Sequence, residues 1–123
     1  KSFIAKRRIA AKRYDKLLKD LQGVTLPPRD TATVQSAWHL YPVRVDAKKH
    51  RKVFDYLRGK GIGVQVHHIP VHTHPYYGKL GYKKGSCPNA ERLYDSAVSV
   101  PLFATITVAQ QLRVVRTLKQ ALA

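Results

Sequence analysis

Apolar residues return at helical spacing along the first 22 positions. Phe3, Ala10, Tyr14, Leu17 and Leu21 fall on one stripe, widened by Ile4, Ala11 and Leu18, which predicts an amphipathic helix over 1–22. Basic residues (Lys1, Lys6, Arg7, Arg8, Lys12, Arg13, Lys16 and Lys19) cover the rest of that surface. Gly23 can cap the helix, and Pro27-Pro28 forbid its continuation. After a polar connection over 24–35, the aromatic and β-branched run 37–45 predicts a strand, with Trp38 and Leu40 on one face and His39 and Tyr41 on the other. Pro42 cannot donate to a ladder, so it belongs at an edge or bulge. Asp46 is placed to N-cap a helix over 47–58 that turns Val53, Phe54 and Leu57 inward, and Gly59 and Gly61 end it.

Period-two alternation then takes over. Ile62, Val64 and Val66 alternate with small or polar residues and predict a half-buried strand over 62–67. Residues 68–87 carry no period and read as a long irregular loop, a length usually kept for function. A short helix is expected after Pro88, with Glu91 in its first turn. Val98-Ser99-Val100 predicts a short strand before Pro101. Thr107 and Gln110 form a capping box for a last helix, with Val108, Leu112, Val115 and Leu118 expected on its inner stripe. The expected class is α/β in the broad α+β sense, a small three-stranded sheet covered by helices. Residues 1–22 read as a helix leading into a domain over 23–123.

Composition narrows this picture. The chain has 123 residues, 44% of them hydrophobic, which suits one globular domain with a modest core. The formal net charge is +16, from 23 Lys and Arg against 7 Asp and Glu. Such an excess attracts polyanions: nucleic acid, anionic membrane or a phosphorylated ligand. No RNA-recognition or zinc-finger signature accompanies the charge, so nucleic acid is not the expected partner. No apolar run approaches the roughly 18 residues of a membrane-spanning helix, and none is expected. Cys87 is the one cysteine; an intrachain disulfide is impossible, which fits a reducing, cytoplasmic setting. A helix opening on bare lysine, without Met or an N-cap, suggests a piece of a longer protein.

Histidine and tyrosine supply the candidate chemistry. His67, His68, His72 and His74 crowd into eight positions, followed by Pro75-Tyr76-Tyr77. Three roles are open to the histidines: metal ligation, structural hydrogen bonding, or ligand contact through an imidazole that both donates and accepts. No thiolate or carboxylate lies close in sequence, and His67 and His68 on a strand would point to opposite faces, so no metal site is expected. Tyr76 and Tyr77 either stack on a sugar or base or pack the loop down. Trp38 and His39 raise the same choice. No nucleophile elbow or paired-carboxylate arrangement is present, so nucleophilic or paired-carboxylate catalysis by this chain alone has little support. A basic nucleic-acid-binding or sugar-nucleotide-binding module without catalysis is the alternative to an enzyme domain.

Five segments in register resemble one family, the DegT/DnrJ/EryC1/StrS sugar aminotransferases. They are Lys6–Asp15 (KRRIAAKRYD), Ser36–Tyr41 (SAWHLY), Gly61–Tyr77 (GIGVQVHHIPVHTHPYY), Cys87–Arg92 (CPNAER) and Val98–Phe103 (VSVPLF). The run Gly61–His67 is most similar to the members that aminate UDP-linked 4-keto-6-deoxy-N-acetylhexosamines, as in pseudaminic acid synthesis. The resemblance implies the C-terminal small domain of a fold-type I transferase dependent on pyridoxal 5'-phosphate. Its amino donor is glutamate and its acceptor a keto-sugar nucleotide, here a UDP-sugar. The family's catalytic lysine lies in a large N-terminal domain that would precede this chain, so the chain alone is expected to be inactive and to hold no cofactor. Family members are homodimers when full-length. Carried onto matching positions, the substrate-facing residues are His67, His72, Tyr76 and Tyr77, with Trp38 and His39 beside them. His68 stands where the family usually has Tyr, and Thr73-His74 replaces a common apolar-Gln pair; both departures bear on sugar specificity.

Overall fold

A computed structural model describes residues 2–123; the expected helix start at Lys1 lies outside them. Helix α1 (Ser2–Leu18) buries Ala10, Ala11, Tyr14 and Leu18. The buried stripe therefore starts later than the sequence pattern suggests. Phe3 is 73% exposed and Ile9 is also exposed. The helix also ends at Leu18 rather than residue 22, where the Leu21 N–H turns back to the Leu18 carbonyl at 3.0 Å. Not all of the basic face is solvated. Arg7 donates to the carbonyls of Trp38 (3.2 Å), His39 (3.1 Å) and Leu102 (3.3 Å), and Arg8 donates to that of Ser36 (3.0 Å).

Strands β1 (Tyr41–Arg44) and β2 (Ala97–Val100) pair antiparallel, with Tyr41 opposite Val100 and Arg44 opposite Ala97. The strand expected from residue 37 begins four residues later. Trp38 adopts φ of 51°, a left-handed conformation unusual for a bulky residue, held by Arg7 on its carbonyl and by the Ser36 hydroxyl on its N–H at 2.9 Å. The expected alternation fails there: Trp38 and Tyr41 are both buried, ring centroids 5.6 Å apart. Arg44 exchanges both backbone hydrogen bonds with Thr25. Pro42, two residues away, thus turns its donorless nitrogen to the outer side of the sheet, as the sequence requires.

The sheet has two strands, not three. The segment expected to form a third, 62–67, contributes a single bridge, Gln65 to Ser99, with N–H to O distances of 3.2 and 2.8 Å. The ladder stops on both sides of this bridge: toward one end the next hydrogen-bonding position on β2 is Pro101, which has no N–H, and toward the other it is Ala97, whose N–H goes to the Leu93 carbonyl and whose carbonyl meets His50 Nε2. Within the 62–67 segment, the Val64 N–H turns back to the Ile62 carbonyl at 2.8 Å. Ile62 and Val64 still bury their side chains as foreseen.

Helix α2 (Ala47–Gly59) is N-capped by Asp46, which accepts the Lys48 N–H at 2.8 Å. It buries Val53 and Leu57 and half-buries Phe54. The 68–87 segment is less irregular than expected: it contains a 3-10 turn (Val71–Thr73) and a short helix α3 (Pro75–Lys79). Helix α4 (Pro88–Ser96) leads into β2, and α5 (Val108–Leu122) closes the chain. The α5 capping box forms as read, Thr107 Oγ1 accepting the Gln110 N–H at 3.2 Å and Gln110 Oε1 accepting the Thr107 N–H at 2.9 Å. Replacing the cap, Thr107→Ala, is expected to cost about 1 kcal/mol, read as a lower urea midpoint at unchanged slope.

The inner stripe of α5 is rotated from the expected one. Gln111, Val114, Thr117, Leu118 and Ala121 are buried, whereas Val108 is exposed. Two polar residues hide this face from a hydrophobic count, and both are satisfied. Gln111 donates to the Ala10 carbonyl at 2.9 Å and accepts from Arg13 at 2.7 Å, while Thr117 donates to the Arg113 carbonyl at 2.8 Å. The core joins α1, α2 and α5 to the sheet through Tyr14, Leu18, Tyr41, Val43, Val53, Leu57, Val98 and Leu118. Among the described residues no helix is long and apolar enough to cross a membrane.

Candidate functional site

The Gln65–Ser99 bridge fixes where the histidine segment leaves the sheet. Ser99 is buried on β2, and its Oγ shares a 3.0 Å hydrogen bond with His67 Nδ1. The His67–His68 peptide is cis, and the two rings meet edge to face at 4.7 Å. Desolvation, then the fields of His68 and His39, holds the His67 imidazole below the usual histidine range. His67 and His68 thus form one patch. The backbone that carries His39, whose field is felt at His67, is gripped by Arg7 at the Trp38 and His39 carbonyls.

Beyond residue 68 the chain folds over α4. His72 is 8% exposed, and its Nε2 donates to Glu91 Oε1 at 2.7 Å. The same oxygen accepts the N–H of Gly85 at 2.7 Å and of Cys87 at 3.4 Å. These hydrogen bonds, His72's above all, hold the Glu91 carboxyl below its ordinary range. One carboxylate thus ties both ends of the 72–85 loop to α4. On that loop Tyr76 is 67% exposed and meets Tyr77 edge-on at 5.3 Å, and Tyr77 rests against Tyr82 at 6.2 Å. A cavity of about 380 Å³ lies under the loop, bordered by His72, His74, Tyr82, Glu91 and Tyr94.

The six residues singled out from the sequence separate into two groups. His39, His67, Tyr76 and Tyr77 present at least part of their side chains to solvent. Trp38 and His72 are buried, one stacked on Tyr41 and the other bound to Glu91. His68, Ser99 and Glu91 were not among the expected site residues. Glu91 carried a visible signal, a carboxylate in the first turn after Pro88, but that signal reads as a favourable helix dipole. Its partner His72 lies 19 positions away, beyond any local pattern. Among the described residues no group of three or more His, Cys, Asp or Glu side chains is arranged to hold a metal ion. Every described lysine is exposed.

A small α+β domain with a basic helix along one side and a histidine–tyrosine loop over a two-stranded sheet is the class these observations define. The model of the DegT/DnrJ/EryC1/StrS aminotransferase family matches residues 1–119, and the chain belongs to that family. It is 37% identical over 109 residues to the spore coat polysaccharide biosynthesis protein SpsC of Bacillus subtilis, covering 83% of this chain and 28% of that protein. The aminotransferase TlmJ from Streptoalloteichus hindustanus superposes with a TM-score of 0.88 at 28% identity, over 98% of this chain and 32% of TlmJ. PseC of Helicobacter pylori, an aminotransferase involved in the biosynthesis of pseudoaminic acid, gives a TM-score of 0.84 at 25% identity, over 98% and 33% of the two chains. The chain thus spans about a third of the length of the proteins it matches.

Proposed function

We propose that this chain is the C-terminal part of a sugar aminotransferase dependent on pyridoxal 5'-phosphate, with residues 1–22 leading from a large N-terminal domain into the small domain 23–123. The amino donor in this reading is glutamate and the acceptor a UDP-linked keto sugar. The full protein is a cytoplasmic homodimer. The observation that carries the reading is the match of nearly the whole chain to the family and to about a third of each of two solved aminotransferases.

Within it, the chain's own side chains do not make the cofactor's site. The cofactor, which supplies an electron sink when bound, belongs to the preceding domain. This chain contributes the wall that receives the sugar nucleotide. His67 and His39 offer imidazoles that donate to and accept from sugar hydroxyls or phosphate oxygens. Tyr76 and Tyr77 offer ring faces and phenols. His72 and Trp38 act from beneath, His72 by holding the loop and Trp38 by packing under the turn that carries His39.

The test is a chimera that joins residues 1–123 to the N-terminal two thirds of PseC, assayed for amino transfer from glutamate to a UDP-4-keto sugar. Transfer is expected, and His67→Ala is expected to raise KM more than it lowers kcat. A chimera that folds and binds cofactor yet transfers nothing overturns the reading. So does a KM indifferent to both His67→Ala and Tyr77→Ala.

A further inference from the structure

A second surface, apart from the histidine–tyrosine segment, has the chemistry of an anion receptor. A cleft of about 600 Å³ runs between α1 and the 29–38 connection, with Lys12, Lys16, Lys19 and Arg29 facing Asp15 and Asp30. Its volume lies in the range of ligand pockets. Both carboxylates are already engaged by the fold. Asp15 accepts the Tyr41 hydroxyl at 2.6 Å, and Asp30 accepts the Ser36 N–H at 2.9 Å.

The cations are not so engaged. Lys19 pairs only with the adjacent, exposed Asp20 at 3.7 Å, and among the described residues Lys12, Lys16 and Arg29 enter no ion pair. Their neighbours on α1 differ in kind: Arg7, Arg8 and Arg13 turn to carbonyl and amide oxygens of the fold. Lys12 and Lys16 lie one helical turn apart on the same side, and Arg29 stands on the opposite wall with a planar fork suited to phosphate oxygens. The two carboxylates reduce the attraction for any anion, and four cations spread over two walls suit a ligand with several negative charges close together.

We infer that this cleft binds a diphosphate group, carried either by free pyrophosphate or by a nucleoside diphosphate. The inference stands independently of the sugar-aminotransferase reading, since it uses neither the histidine patch nor the 72–85 loop.

The experiment titrates the 123-residue chain with inorganic pyrophosphate and, in a parallel arm, with UDP, by calorimetry at physiological salt and by backbone NMR. Saturable binding with shifts centred on residues 12–19 and 29–38 is expected. Tighter binding of UDP identifies the nucleotide as the source, and tighter binding of pyrophosphate identifies the free anion. Neutralising one lysine, Lys12→Gln or Lys16→Gln, is expected to weaken binding about tenfold, and the double reversal K12E/K16E at least about a hundredfold. The control K48E/K52E alters two exposed lysines of α2 outside the cleft and is expected to leave affinity unchanged. Circular dichroism establishes that each variant is folded, and the Gln variants carry the test if the double reversal is not. Absence of saturable binding in both arms overturns the inference. Equal weakening by K48E/K52E also overturns it, because diffuse charge would then explain the affinity.

Discussion

Tyr14→Ala is expected to destabilise the fold by about 4 kcal/mol, the range for truncating a large buried aromatic. Domains of this kind have about 5–15 kcal/mol in total, so much of the variant population unfolds under mild denaturant. The side chain is fully buried where α1 meets the sheet. Its ring lies 5.0 Å from that of Tyr41, and its hydroxyl donates to the Pro101 carbonyl at 2.9 Å, just past β2. Tyr14→Phe keeps the ring and loses only that hydrogen bond, an expected cost of about 1 kcal/mol. Urea unfolding of the two variants separates packing from hydrogen bonding. Equal losses would contradict the claim that the ring carries most of the effect.

The same residues give the fold an alkaline limit. Burial raises the pKa of both Tyr14 and Tyr41 well above the ordinary phenol range, and the hydrogen bond to Asp15 adds to the rise at Tyr41. A raised folded-state pKa means the unfolded chain gives up its protons first. The stabilisation from these protonated phenols is therefore complete below the free phenol value of about 10 and lost as the pH climbs above it.

What could be read from the sequence divides along physical lines. Local chemistry was legible: the Asp46 cap, the Thr107–Gln110 box and the Val53–Leu57 face need only neighbouring residues to form. Tertiary substitution was not. Gln111 sits at a fully buried position because Ala10 and Arg13, about a hundred residues earlier, satisfy its amide, so the α5 stripe read from apolar residues alone came out rotated. The third strand was over-read because alternation reports burial. Ile62 and Val64 are buried, yet ladder formation depends on the pairing positions of another segment, Pro101 without an N–H and Ala97 already bonded elsewhere. At the candidate site, residue types pointed to the right stretch of chain. They did not reveal that Trp38 would turn inward through a left-handed backbone held by Arg7, or that His72 would be taken up by Glu91.

That last pair supports the other large effect expected. Glu91→Ala should release the 72–85 loop while leaving the rest of the domain folded. The Glu91 oxygen is the shared acceptor for His72 and for the N–H groups of Gly85 and Cys87, and Glu91 lies outside the hydrophobic core built around Tyr14, Leu57 and Leu118. Amides from 71 to 86 should lose most of their hydrogen-exchange protection, with those of α2 and α5 unchanged. Glu91→Gln keeps an acceptor oxygen and removes the charge, so it should fall between wild type and Ala. Acid should mimic the mutation. The folded-state pKa of Glu91 is depressed, so its contribution is present above the ordinary carboxylate range and is lost as the pH falls through the lowered value. Wild-type loop protection should therefore decline at acidic pH ahead of global unfolding, and Glu91→Ala should show no such step. If the loop amides of Glu91→Ala stay as protected as those of wild type, the loop is held by the Tyr77–Tyr82 contact, and the carboxylate is not its anchor.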